Sequence, residues 1–189
     1  MKRIAFYLFL AIGAISMWVM SARYFSLQPV SILKSKDVAQ LLWYRLSFMV
    51  HITGGLVAIA IGPWQMHPTA RARHPRAHRI GGYVYVCCVL LSSLAGLIIA
   101  PFAMGGIIAQ LGFSCLATCW FVLTLTAILA ATKRNWLQHQ QLMTYSFALT
   151  FSAITQRSLL LVPLLTDTPF MPIYQLSAWL PWLLNLSIA

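Results

Sequence analysis

Apolar residues fall into six long runs, near 4–22, 43–63, 80–101, 107–131, 140–165 and 170–189. Each is close to the ~20 residues that an α-helix needs to cross the hydrocarbon core of a bilayer. Polar and charged residues gather between the runs. The pattern predicts an all-α fold: a polytopic transmembrane helical bundle of about six helices, forming one membrane-embedded domain over residues 1–189. The first run follows Lys2 and Arg3; its length, Trp18 and the lack of a small-x-small cleavage pattern favour a retained anchor over a secretory signal. The last run holds Pro172 and Pro181, which predicts a kinked or re-entrant segment.

Composition sharpens this picture. Hydrophobic residues make up 60% of the chain and charged residues only 8%, against about 25% charged in an ordinary soluble domain. The charge is one-sided, with 13 Lys and Arg against two acids, Asp37 and Asp167, a net of +11 and no Glu. Metal-dependent phosphoryl or prenyl transfer needs clustered carboxylates, and zincin-type proteolysis needs a Glu beside its His pair, so both are excluded. A proton-coupled transporter working through an intramembrane acid is disfavoured, because both acids fall outside the apolar runs. Nucleic acid is not expected as a partner, since the basic residues lie between apolar runs rather than along one soluble face.

The basic charge is topological instead. Short cytoplasmic loops are enriched in Lys and Arg. With the N-terminus cytoplasmic, the inner segments carry Lys2, Arg3, Arg71, Arg73, Arg76, Arg79, Lys133 and Arg134, whereas the outer ones carry Arg23, Lys34, Lys36 and Arg45. This predicts a multi-pass membrane protein whose basic loops face the cytoplasm, with the lipid bilayer as its first partner. Cys87, Cys88, Cys115 and Cys119 all sit inside apolar runs, away from loops and CxxC spacing, and are expected to pack in helix interfaces rather than bind metal.

Two runs carry polar stripes. In the second, Tyr44, Ser47, His51, Gly54, Gly55, Ala58, Gly62 and Gln65 recur at three- and four-residue steps and share a face. Gly54, Ala58 and Gly62 add a small-xxx-small ridge that lets a helix or a flat ligand approach the backbone. In the fifth, His139, Met143, Ser146, Thr150 and Arg157 share a face, with His139 and Arg157 five whole turns apart. By rise per residue, His51 and Arg157 should lie at similar depth in the outer half of the bundle, each ~12 Å from an outer helix end. An Arg at that depth is costly, and no acid lies inside the apolar runs. Backbone carbonyls, a hydrated cavity or an anionic ligand are the candidate means of compensating it.

The inner loop MHPTARARHPRAHRIGGYVYV holds His67, His74 and His78, with Pro75 suited to the first turn of a helix. His78, Gly81, Gly82 and Tyr85 then fall on one face. His139 begins the fifth run from the same side, so His78 and His139 enter the membrane at one level. Two helix-borne histidines at one level suit bis-imidazole ligation of a haem iron, and equally a polar inner gate or ordinary hydrogen-bonded side chains. Spacing alone leaves these open, along with metal capture by His67, His74 and His78.

Taken together, HITGGLVAIAIGPWQ (51–65), HRIGGYVYV (78–86), the Gly-rich segment 105–113 and HQQLMTYSFALTFSAITQR (139–157) resemble the bacterial predicted membrane proteins catalogued as domain of unknown function 2306. The resemblance spans about two thirds of the chain and implies a multi-helix membrane protein without assigning an activity. Gln140 and Gln141 stand where the family pattern is expected to be basic and more aromatic.

Two functional readings follow. In the first the chain is a b-type haem or quinone-linked redox protein, with His78 and His139 on the haem b iron. His51 and Arg157 then form an outer cofactor site for a quinone, or for a second haem with a propionate on Arg157. Histidines, glycines and a membrane Arg serve that chemistry, and carboxylates are not needed. In the second it is a non-enzymatic membrane subunit or small-molecule carrier whose polar cavity binds an anionic lipid or metabolite, with a membrane protein partner or a homo-oligomer as its assembly.

Overall fold

The computed structural model describes the backbone of residues 2–22 and 41–189 and the side chains from Ile12 onward, Ala70 apart. Arg23, Lys34, Lys36 and Asp37, expected in an outer loop, lie outside the described residues. Helices α1 (Lys2–Ala22), α2 (Leu42–Gln65), α3 (Pro68–Arg73) and α4 (Pro75–Ile99) come first, and a 3-10 turn over Ala100–Phe102 ends α4. Then follow α5 (Gly106–Thr132), α6 (Trp136–Leu159), α7 (Val162–Leu165), α8 (Phe170–Ser177) and α9 (Leu180–Ile188). Four stretches, Leu42–Gln65, Pro75–Phe102, Gly106–Thr132 and Trp136–Leu165, are long and apolar enough to cross a membrane.

Three of the expected runs change shape, each at a proline. The helix expected from residue 80 starts at Pro75, because a proline in the first turn loses no hydrogen bond and lets the polar PRAHR turn join the helix. The fifth run divides at Leu160: Pro163 has no N–H to offer the Leu159 carbonyl, so α6 stops and α7 forms separately. The last run divides at Ala178 and Trp179 for the same reason, since Pro181 cannot donate to the Ser177 carbonyl. Its halves, eight and nine residues long, make a broken helix in place of a sixth continuous one.

Missing side chains set the helix approaches. A Cβ on Gly54 would stand 2.8 Å from the Cys88 carbonyl oxygen and 3.1 Å from Ser92 Cβ, so α2 and α4 touch backbone to side chain there. Gly62 faces the Phe147 ring of α6, with no room for a Cβ. On α5, Gly112 receives the turn between α8 and α9, where a Cβ would stand 2.7 Å from the Ala178 carbonyl. That turn is tied down by the Trp179 indole donating to Ile108 O at 2.9 Å and the Gln175 amide donating to Gly105 O at 2.9 Å. Gly105 itself opens α5 at φ +87°, a backbone conformation that suits glycine.

Since α2 packs on both α4 and α6, and α5 also packs on both, the four long helices form a ring with α4 and α6 on one diagonal. Tyr85, Val89, Trp120, Phe147 and Leu149 fill its centre. The helix α1 docks outside this ring through Ala14 and Met17, against Ile52, Leu56 and Ile59 of α2, and through Gly13 against Ile154 of α6. The amide of Asn185 in α9 reaches Ala148 O, Ser152 Oγ and Thr155 Oγ1 of α6.

The outside is as apolar as the inside. Leu42, Leu46, Ile80, Leu91, Ile98, Ile107, Leu111 and Leu129 are all exposed, and within each span's most apolar stretch no more than 44% is buried. Such a surface needs hydrocarbon around it, and the chain is an integral membrane protein. Cys87 and Cys115 are on this exposed surface, contrary to their expected place in helix interfaces, while Cys88 and Cys119 are half-buried; all four are free thiols.

The Gly54 contact predicts a split between neighbouring glycines. Gly54→Ala should lower the stability of the purified protein by roughly 1 to 3 kcal/mol through overpacking against Cys88. Gly55→Ala, whose Cβ would meet only Ser92 Oγ at 3.8 Å, should be tolerated. Thermal unfolding in a mild detergent measures both, and equal effects would remove the close approach as the cause.

Candidate functional site

Polar side chains form three layers within the helix ring. The middle layer is fully buried. Tyr85 of α4 reaches across the diagonal to α6, its hydroxyl 3.1 Å from Ser146 Oγ and 2.8 Å from Thr150 Oγ1. From α5, Thr124 Oγ1 lies 2.7 Å from Ser146 Oγ and the Trp120 indole donates to Thr150 Oγ1 at 3.0 Å. Five side chains from three helices thus satisfy one another where no water can. The stripes of α4 and α6 contain Tyr85, Ser146 and Thr150, as expected. Trp120 and Thr124 were not singled out, because α5 is apolar almost all round and shows no polar face. The available signal was Trp120, Thr124 and Ala127 at steps of four and three, all buried.

The layer nearer the start of α2 holds His51 and Arg157. Nδ1 of His51 is 2.9 Å from the Ser92 carbonyl oxygen, and the Ser92 hydroxyl donates back to the His51 carbonyl. This reciprocal pair fixes the ring and, with Nδ1 protonated, leaves the lone pair on Nε2. Gly96 makes space for it: a Cβ there would stand 3.0 Å from Nδ1. The Arg157 guanidinium donates to Ala153 O at 3.0 Å, one turn back along its own helix. It is near enough to His51 for its charge to act on the ring.

The third layer is at the other end, among the connections between α2 and α4 and between α5 and α6. His139 of α6 points toward α5, with Nδ1 2.9 Å from the Ala127 carbonyl oxygen. His78 of α4 is near enough for the charge of His139 to act on it, and Arg71 acts on it too. Each imidazole has a tryptophan beside it at the same separation: Trp64 by His78 and Trp136 by His139, with ring centroids 6.4 Å apart in both pairs. Both tryptophans are exposed and mark the level where apolar surface meets water.

This third layer also contains unmet hydrogen-bonding capacity. Nδ1 of His78 and Nε2 of Gln65 are buried without a partner. The Gln65 amide lies against Gly81, where a Cβ would overlap it, and its Oε1 faces Gly82. The paired glycines of HRIGGYVYV thereby seat the end of the α2 stripe. The loop histidines do not join them as a metal site: among the described residues no three His, Cys, Asp or Glu converge. His67 instead caps its own turn by accepting from Thr69 N at 3.2 Å, and His74 is exposed at the start of α4.

Chemically, the arrangement offers three imidazoles held by backbone carbonyls or buried beside a guanidinium, in a bundle without intramembrane acids. No curated protein and no solved structure matches the chain. A family model does, over residues 48–189, and its description is "Predicted membrane protein (DUF2306)". The matched region contains all three layers, from His51 to Asn185, and the chain belongs to the DUF2306 family of predicted membrane proteins.

Proposed function

We propose that this protein is a b-type haem-binding, quinone-linked redox protein of a bacterial cytoplasmic membrane, with His78 and His139 as the iron ligands. The observation that carries the reading is the hydrogen bond from His139 Nδ1 to the Ala127 carbonyl. It fixes the ring and tautomer, raises the basicity of Nε2 and directs that lone pair away from α5, the outer-sphere arrangement that metal-ligating histidines use. His78 stands on the other helix of the diagonal, near enough to sense His139, with a buried ring nitrogen that nothing in the protein occupies.

The donor chemistry supports the group: His78 and His139 would hold the iron through imidazole nitrogen, and the glycine-lined corner by Gln65 offers no competing acid or thiolate. When bound, haem supplies one-electron transfer. The chain's own residues hold the rings, set Trp64 and Trp136 beside them, and place Arg71 and Arg79 at the polar rim.

For the outer layer we propose a quinone site. The carbonyl of a quinone head group would accept from Arg157, and the Nε2 lone pair of His51 would accept from the hydroxyl of the reduced head group. A second reading draws on the same pair: the guanidinium beside His51 suits an anionic lipid or metabolite, which would make the protein a carrier or membrane subunit without a redox role.

Orientation is proposed from charge. Arg71, Arg73, Arg76, Arg79, Lys133 and Arg134 stand at the end of the bundle that bears His78 and His139, and Asp167 lies at the opposite end. The basic end is assigned to the cytoplasm, with the N-terminus on the same side.

Absorbance spectroscopy tests the redox reading. Protein purified from haem-replete cells should show a Soret band and, on dithionite reduction, an alpha band. His78→Ala and His139→Ala should each abolish the low-spin spectrum, while His51→Ala keeps it. A colourless wild-type preparation from such cells would eliminate haem and leave the carrier reading. Orientation is tested separately, with Ala72→Cys in a chain whose four native cysteines are serine. A membrane-impermeant maleimide should label it only after the cells are permeabilised, and labelling of intact cells would invert the topology.

A further inference from the structure

At the basic end of the bundle, Gln65 Nε2 and His78 Nδ1 are both buried without a partner, in the corner formed by the end of α2 and the first turns of α4, where the Gln65 amide lies against Gly81 and Trp64 packs near both Gly81 and His78. The Arg71 charge bears on His78 from α3. Among the described residues the one acid is Asp167, in the connection between α7 and α8 at the other end. An unsatisfied buried polar group is destabilising, and two in one corner are a sustained penalty unless something outside the chain pairs with them.

The two ring-bearing sites differ in the same respect. His51 and His139 each have Nδ1 set against a backbone carbonyl, of Ser92 and of Ala127. Nδ1 of His78 has no such carbonyl. A corner with an amide N–H, a ring N–H and a guanidinium nearby is complementary to an oxygen carrying negative charge.

We propose that Gln65, His78 and Arg71 form a binding site for an oxyanion, a carboxylate or phosphate oxygen that accepts from Gln65 Nε2 and from protonated His78 Nδ1 while Arg71 balances its charge. The site does not require the haem reading. Where haem is bound, a propionate is the natural source of the oxygen, and Nε2 of His78 stays available to iron. Where it is not, the phosphate of an anionic lipid at the membrane surface supplies the same chemistry.

The test uses the full chain, purified in a maltoside detergent and stripped of lipid and cofactor, with thermal unfolding as the readout. Three probes are titrated separately: inorganic phosphate, dioleoyl phosphatidylglycerol against dioleoyl phosphatidylcholine in mixed micelles, and haemin against haemin dimethyl ester. At least one acidic probe should raise the unfolding temperature saturably while its neutral or zwitterionic counterpart does so less. Its apparent affinity should fall about tenfold or more in Gln65→Leu and in Arg71→Gln. Arg71 is exposed, so that variant tests the site without disturbing the core. Gln65→Glu places a carboxylate in the corner and should remove the response altogether.

A haemin response that depends on the free carboxylates identifies the propionate as the source, and a response to phosphatidylglycerol identifies the lipid. If the haem spectrum is absent but the lipid response and its loss in the variants persist, the haem reading fails and the oxyanion site stands. If no probe shifts the transition, or the variants respond like wild type, the two nitrogens are served by water and the site is refuted.

Discussion

A hydroxyl, amide or imidazole at membrane depth has no solvent to fall back on, and this constraint orders the bundle. Each polar side chain within the ring must meet another chain atom at the same level. Tyr85 can occupy the centre because Ser146, Thr150, Trp120 and Thr124 close a network around its hydroxyl. Interhelical hydrogen bonds in membranes average only ~0.6 kcal/mol, so their value is in register more than in strength. A one-residue slip of α6 against α4 would strand several donors at once. The network thereby fixes the relative height of the diagonal helices.

The second constraint is distance. Without a hydrophobic effect between helices in lipid, close van der Waals contact must do much of the work. Gly54 lets α2 reach the backbone of α4, Gly62 admits the Phe147 ring of α6, and Gly96 lets the His51 ring lie on α4. These glycines bring polar groups into range as well as packing helices. The reciprocal hydrogen bonds between His51 and Ser92 exist because α2 and α4 come together at Gly54.

Much of this was legible in the sequence, and the failures have definite causes. Run length and the three- and four-residue periodicity located the long helices and the inward faces of α2, α4 and α6, since a lipid-facing surface tolerates few polar residues and the remainder must point inward. Pro75 begins a helix and Pro181 breaks the last run, both where the sequence points to them, but Pro163 divides the fifth run without any such signal. Hydropathy cannot separate these outcomes, because they depend on which carbonyl loses its donor. Cys87 and Cys115 were misplaced because a thiol is equally at home in an interface or facing lipid. Thr124 and Trp120 were hidden by the uniform apolarity of α5, and the Ala127 carbonyl that holds His139 has no side-chain signature at all.

That last case bears on how an imidazole is held in place where the helix spans offer no acid. Many metal-bound histidines are oriented by an Asp or Glu, but a bundle with no acid in its spans must use the backbone. Within a regular α-helix each carbonyl already accepts from the residue four positions on, so a histidine can use it only through its second lone pair, from a neighbouring helix close enough to offer Nδ1. Small residues at Ala127 and near Ser92 permit that approach, since a large side chain would cover the carbonyl. A histidine orientated in this way pays no cost of burying a charge, because both partners are neutral. Absence of acid and abundance of small residues along the helix contacts are then two aspects of one arrangement, which keeps neutral imidazoles fixed in a medium where ion pairs are expensive.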